Sequence, residues 1–260
     1  MKIAIIGCGV IGSALARHFA KKHQLLLCDH TYQKSSALAQ ELGGEAYENS
    51  AQAIEEAELV VLAIKPKDLA AFAGATSQAF KHAPMLVSVL AGTSVDLLHR
   101  FFPASLIIRI MPNLPMIYGE GVIGFVNTPH ITEPRKKTIE AIFEGLGLLQ
   151  WLSEDHLEAL SALAGSGPAF VFVLIQAMIE SGMMLGFTSH EAEKYVLKTI
   201  EGSIALLKAS GKTPAELIAQ VASPGGTTRA GLKVLEDSHI HQILLNTYQA
   251  TFNRAKELQK

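Results

Sequence analysis

Cysteine is scarce in this chain, with only Cys8 and Cys28 among 260 residues. No Cys-x-x-Cys spacing exists. This excludes a thiolate zinc site and a disulfide scaffold, and it points to a reducing compartment. Excess charge is also missing. Lys and Arg number 22 against 24 Asp and Glu, so the formal net charge is −2 and no basic footprint for nucleic acid is present. His239 and His241 flank Ile240 without the third ligand a metal needs, so no metal is expected. The N-terminus lacks the basic region, apolar core and small-residue cleavage site of a secretory signal. The longest apolar run of the second half, residues 168–175, is soon interrupted by Gln176 and Glu180. It reads as too short and too polar to span a bilayer. A cytoplasmic protein with neither nucleic-acid nor membrane partners is expected. What the chain has in plenty is apolar surface. Hydrophobic residues make up 49% and the mean hydropathy is +0.26, a sign of a buried subunit interface.

The first half alternates short apolar runs with helix-length segments. The runs are 2–6, 25–28, 59–64, 85–90 and 106–110, followed by 121–126 and 148–152. Continuous apolar runs of this length read as buried strands of a largely parallel α/β sheet. Helical patterning covers 10–22, 34–42, 50–57, 67–80, 95–102 and 134–146. From Asp155 onward no strand pattern remains. Helices are expected over 155–163, 168–184, 189–210, 214–221, 228–236 and 239–258, with Ser189 as an N-cap and Gly186 and Gly211 as stops. Gly182 and Gly202 read as sites of close helix packing. The predicted domains are therefore 1–152, which binds a dinucleotide, and 153–260, which is helical. No internal repeat is present.

Gly7-Cys8-Gly9-Val10-Ile11-Gly12 is a G-x-G-x-x-G that follows a strand and opens a helix, the context in which this motif binds a dinucleotide. Gly7 permits the tight turn, Gly9 lets a pyrophosphate reach the backbone, and Gly12 lets helix and strand pack closely. Asp29 ends the second strand, where an acid bonds a ribose 2′-hydroxyl and repels a 2′-phosphate. That leans toward NADH, while His30 and Lys34 leave NADPH open. The alternative for Asp29 is a simple turn residue. Lys65, Pro66 and Ala91 follow strands at their carboxyl ends, where doubly wound sheets bind ligands. Cys8 reads as a small packing residue, sensitive to oxidation only if exposed.

A second glycine turn lies near the other end: Ser223-Pro224-Gly225-Gly226-Thr227-Thr228, feeding a helical run. Free N–H groups at a helix start suit an anion, and Gly225 and Gly226 permit φ > 0 and close approach of a ligand. Thr227 and Thr228 can cap the helix or bind the ligand. Two anion cradles suggest a cofactor at one and an acidic small molecule at the other.

This turn resembles the C-terminal signature of the pyrroline-5-carboxylate reductases. Ala63-Ile64-Lys65-Pro66, Arg109-Ile110-Met111-Pro112-Asn113 and Gly165-Ser166-Gly167-Pro168-Ala169 agree with that family in the same chain order, so the resemblance covers nearly the whole chain. It implies an N-terminal Rossmann-type doubly wound sheet followed by an all-α C-terminal dimerisation domain. The implied activity is reduction of 1-pyrroline-5-carboxylate to L-proline, the last step of proline biosynthesis, with NADH or NADPH. By the same resemblance the loop of Ala63, Ile64, Lys65 and Pro66 lies along the cofactor, with Asn49 and Asn113 near it. An intertwined homodimer or a ring of dimers is implied, its substrate site combining a helical domain with a cofactor domain from another subunit. Members that use NADPH often carry Asn-Arg or a small polar pair where this chain has Asp29-His30. Two further departures are Leu114 in place of the usual Thr and Leu90 in place of a small residue, both expected near the nicotinamide pocket.

The residues fit this chemistry. Carbonyl reduction needs a general acid, and residues 223–228 contain no His, Lys or Glu. A cyclic imine relaxes the need because its nitrogen carries a proton before hydride transfer. Backbone amides of 226–228 suit the substrate carboxylate, and the Thr228 hydroxyl suits the ring nitrogen, which makes Thr228 the candidate catalytic residue. The rival, a β-hydroxyacid dehydrogenase, needs a lysine four residues after the second glycine of Gly165-Ser166-Gly167. Val171 stands there instead. A nucleotide-sensing module that kept the fold and lost activity is the alternative of another class.

Overall fold

The computed structural model describes residues 1–82 and 84–258. Its first half is β1 (Lys2–Ile6), α1 (Val10–Phe19), β2 (Gln24–Cys28), α2 (Tyr32–Leu42), β3 (Glu45–Tyr47), α3 (Ser50–Glu56), β4 (Leu59–Leu62), α4 (Leu69–Thr76), β5 (Met85–Ser88), α5 (Val95–Phe101) and β6 (Leu106–Pro112). Next come β7 (Gly121–Val126), α6 (Glu133–Phe143), β8 (Gly147–Leu152) and α7 (Glu154–Leu160), then a π-helical turn at Ser161–Gly165. The helices α8 (Gly167–Met184), α9 (Ser189–Ser210), α10 (Pro214–Val221), α11 (Thr227–Asp237) and α12 (Ile240–Glu257) complete the chain.

The sheet order is β3-β2-β1-β4-β5-β6-β7-β8. All pairings are parallel except β6 with β7. Strand alternation divides the core in two. Ile3 and Ile5 of β1 and Leu59 and Val61 of β4 face α1, α2 and α6, while Ala4, Ile6, Val60 and Leu62 face α3, α4 and α5. Burial on both faces explains why these strands read as unbroken apolar runs. β3 was not expected. It has three residues at the sheet edge and no apolar run, and only its pairing with β2 defines it.

The chain divides into two compact units, Met1–Ser166 with Thr251–Lys260, and Gly167–Ala250. The first unit therefore runs past the expected boundary at residue 152, which marks the end of β8. α7 stays with the sheet because Leu157 and Glu158 are buried.

In the second unit Gly182 of α8 faces Ala192 of α9. A Cβ at Gly182 would lie 2.8 Å from the Ala192 Cβ, so the two helices do meet closely there. Gly202 differs from expectation, because a Cβ added there would meet nothing within 4 Å. The cap of α9 is Thr188 rather than Ser189, because Thr188 and Glu191 form a reciprocal capping box. Gly211 ends α9 in the left-handed conformation, as expected. A further difference concerns length. The helical stretch Glu154–Met184 runs through 31 residues with hydropathy 1.8, long and apolar enough by composition to cross a membrane. Its uninterrupted apolar run understates its length, because the helix continues through isolated polar residues.

Phe172, Val173, Met184 and Leu185 on and beside α8 are more than half exposed. An apolar face of this extent needs a partner surface. The chain is therefore expected to elute as a dimer or larger at micromolar concentration. A monomer mass from light scattering would refute this.

Candidate active site

The glycine loop is built by backbones in contact. Gly7 has φ +102, and a Cβ there would lie 2.5 Å from the Ala63 carbonyl oxygen. A Cβ on Gly12 would lie 1.9 Å from the Gly7 oxygen. Gly9 is the opposite case, with nothing within 4 Å of a Cβ. It caps α1 with no side-chain hydrogen bond, so the first-turn N–H groups of α1 stay available. The space over Gly9 is where a pyrophosphate would lie, and it fits one.

Asp29 braces this loop. Its Oδ2 accepts the Cys8 N–H at 2.7 Å and its Oδ1 accepts the Thr31 N–H at 2.9 Å. The carboxylate is 6% exposed, and its neighbour His30, 87% exposed, brings Nδ1 to 3.0 Å from Oδ1. Cys8 is buried, as the packing reading required. Burial first, then the Asp29 charge, pushes its thiol up to about 12, and burial pushes Cys28 up to about 11. Both thiols stay neutral and unreactive at physiological pH.

A cavity of about 770 Å³ opens beside the loop at the carboxyl ends of β1, β2 and β4. It lies at the switch point where β1 is flanked by β2 on one side and β4 on the other. Gly7, Gly9, Asp29, His30, Lys34, Ala63, Ile64 and Lys65 line it. Pro66 begins the 3-10 turn Pro66–Asp68 along its rim, and Val10 is exposed at the start of α1. Ile11 is half-buried against the core.

Other expected residues lie elsewhere. Asn49 is the N-cap of α3, accepting the Ala51 N–H at 2.9 Å, although its neighbours Glu48 and Ser50 line the cavity. Asn113 is buried with both ends of its amide in use. It donates to the Ala164 carbonyl at 2.9 Å and accepts the Val122 N–H at 2.8 Å. Leu90 belongs to the core, while Leu114 is exposed. Ala91 lies on the loop after β5. Lys67, Asp68 and Phe72 line the cavity and were not singled out from the sequence. Their place just after a strand end was the available signal.

The second glycine turn lies in the other unit. Gly225 has φ +73, and Gly226 is the cap of α11 at φ −79. The Gly226 N–H donates to the Ser223 carbonyl at 3.1 Å, and a Cβ at Gly226 would meet the Ser223 hydroxyl at 2.7 Å. No side chain caps α11. The hydroxyls of Thr227 and Thr228 are therefore not used as caps, and the residues from Ser223 to Gly225 together with both threonines are exposed. Among the described residues no group of three His, Cys, Asp or Glu is placed to hold a metal.

A doubly wound sheet with a glycine loop open to a switch-point cavity, followed by a helical unit, defines a nicotinamide-dependent oxidoreductase. Residues 154–258 match the family model described as pyrroline-5-carboxylate reductase dimerisation, and residues 2–92 match one described as NADP oxidoreductase, coenzyme F420-dependent. The chain is 33% identical over 263 residues to the pyrroline-5-carboxylate reductase of Aquifex aeolicus, covering 99% of this chain and 97% of that one. The solved pyrroline-5-carboxylate reductase of Coxiella burnetii superposes with TM-score 0.87 at 28% identity, covering 99% of this chain and 98% of that one. The Plasmodium falciparum pyrroline carboxylate reductase, solved with NADP bound, has the same fold, with TM-score 0.89 at 24% identity over 100% and 98% of the two chains. The chain belongs to the pyrroline-5-carboxylate reductase family.

Gly9 gives a direct test of the cofactor cradle. Its φ of −73 tolerates Ala, and no protein atom stands in the way. Gly9→Ala is expected to keep the parent melting temperature but weaken NADH binding about tenfold, equivalent to ~1.4 kcal/mol. Unchanged NADH affinity by fluorescence titration would place the pyrophosphate elsewhere.

Proposed function

We propose that this chain reduces 1-pyrroline-5-carboxylate to L-proline, and that the carrying observation is the pair of uncapped helix starts at Gly9 and Gly226. NADH supplies the hydride when bound. The first-turn N–H groups of α1 hold its pyrophosphate, and the strand-end residues Ala63, Ile64 and Lys65 lie along it. In the second unit the first-turn N–H groups of α11 hold the substrate carboxylate. The Thr228 hydroxyl bonds the protonated ring nitrogen, and hydride adds to the imine carbon, leaving a neutral secondary amine that takes up a proton from solvent. Orientation supplies most of the rate, because the imine brings its own proton.

Turnover tests the reaction. Purified protein given racemic pyrroline-5-carboxylate is expected to oxidise reduced cofactor and form proline. Absence of cofactor-dependent turnover above background would sink the reading. Cofactor choice rests on Asp29. Its carboxylate lines the cavity and repels a 2′-phosphate, so kcat/KM is expected to be higher with NADH than with NADPH. His30 and Lys34 on the same wall oppose this, and a clear NADPH preference would assign the adenosine end to them. The dimer assembles into a ring of dimers in this reading, with the substrate site completed between subunits, and the free cysteines fit a cytoplasmic location.

Thr228 separates chemistry from capping. Removing a hydrogen bond to a charged group costs about 1.5–3 kcal/mol. Thr228→Ala is therefore expected to lower kcat/KM roughly 10- to 100-fold while cofactor Kd stays unchanged. The Gly226 cap supports this reading, since Thr228 makes no capping bond to lose. A lower melting temperature with parent-like kinetics would leave Thr228 a structural residue.

A further inference from the structure

Both ends of the dimerisation segment, Glu154 and Leu258, come down on one loop of the first unit. The loop is residues 91–94, between β5 and α5. On one side Glu154 Oε1 accepts the Val95 N–H at 2.8 Å, at the first residue of α5. The same oxygen accepts Arg109 Nη1 at 2.8 Å. Arg109, on β6, is fully buried, and its Nη2 donates to the buried Glu158 while its Nε finds no partner. On the other side the Leu258 carbonyl oxygen sits 2.4 Å from where a Gly92 Cβ would be, with Gly92 at φ +67. Thr93, between the two grips, is buried.

α5 does not need Glu154 as a cap, because the Ser94 hydroxyl already accepts the Leu97 N–H at 3.2 Å. Nor does a buried ion pair add much stability over apolar residues of the same shape. What Glu154 does uniquely is tie the loop after β5 to β6 and to the start of the dimerisation segment. We propose that Glu154 is a positioning residue for the cofactor: by holding the Val95 N–H against Arg109, it fixes loop 91–94 where the nicotinamide end of NADH binds. Cofactor affinity then depends on how the two ends of the dimerisation segment are seated on the first unit. The inference rests on the proposed reading of Ala91 as a cofactor contact.

The test compares Glu154→Ala, Glu154→Gln and Glu158→Gln with the parent. NADH Kd is read by fluorescence, melting temperature by calorimetry, and KM for the imine by steady-state rates. Glu154→Ala is expected to raise NADH Kd about fivefold, with imine KM within about twofold. Glu154→Gln recovers part of the affinity, because its amide oxygen still accepts the Val95 N–H. Glu158→Gln, which disturbs Arg109 without touching the loop, lowers the melting temperature and leaves NADH Kd within about twofold. If the Ala variant does not fold, the shape-conserving Gln variant decides: a raised NADH Kd supports the inference and a parent-like one overturns it. Lower melting temperatures in all variants with parent-like NADH Kd would overturn it alone. A parent chain that binds no NADH overturns the cofactor reading and this inference together.

Discussion

Three backbones meet where Gly7, Gly12 and Ala63 touch, and the binding half of the molecule depends on that contact. A single Cβ at Gly12 would press on the Gly7 carbonyl, and one at Gly7 would press on Ala63. Their absence lets α1 start directly over the crevice between β1 and β4. The Cys8 N–H is then held by Asp29, which keeps the loop from closing over Gly9. The cavity, the bare start of α1 and the row of strand-end residues all follow from this packing. Because the contact is backbone on backbone, no side-chain rearrangement relieves it.

The second unit obeys a different constraint. Its helices are well punctuated: capping boxes at Thr188 and Thr213, and a left-handed glycine at Gly211. Yet α8 keeps a broad apolar face in the open, which a lone chain cannot bury. Assembly is thereby part of the fold rather than an addition to it. Its glycine turn repeats the logic of the first, since Gly226, like Gly9, caps a helix without offering a side chain. Each leaves N–H groups for an anion, a pyrophosphate at one and a carboxylate at the other.

Much of this was legible in the sequence. Strands buried on two faces must be apolar throughout, so β1, β2, β4 and β5 stood out from residue type alone. The glycine loop was legible because its neighbours, a strand and a helix, were legible too. What escaped was whatever depends on distant partners. β3 is three half-polar residues whose identity comes from lying beside β2. The pairing of Arg109 with Glu154 and Glu158 spans 45 and 49 residues, and no local pattern announces it. Asn113, read as lying near the cofactor, spends both ends of its amide on the π-helical turn and β7. Thr188 was passed over for Ser189 because the two differ only by which hydroxyl reaches the Glu191 N–H.

The central claim is that one hydride passes from a cofactor held at the first glycine turn to an imine held at the second. Its most direct measurement uses NADH carrying deuterium at both C4 positions, with pyrroline-5-carboxylate and the parent chain, and analyses the proline by mass spectrometry. The account predicts proline one mass unit heavier, with the deuterium on the carbon that had been the imine carbon and one NADH consumed per proline. Proline without deuterium, or NADH consumed without proline, would contradict it.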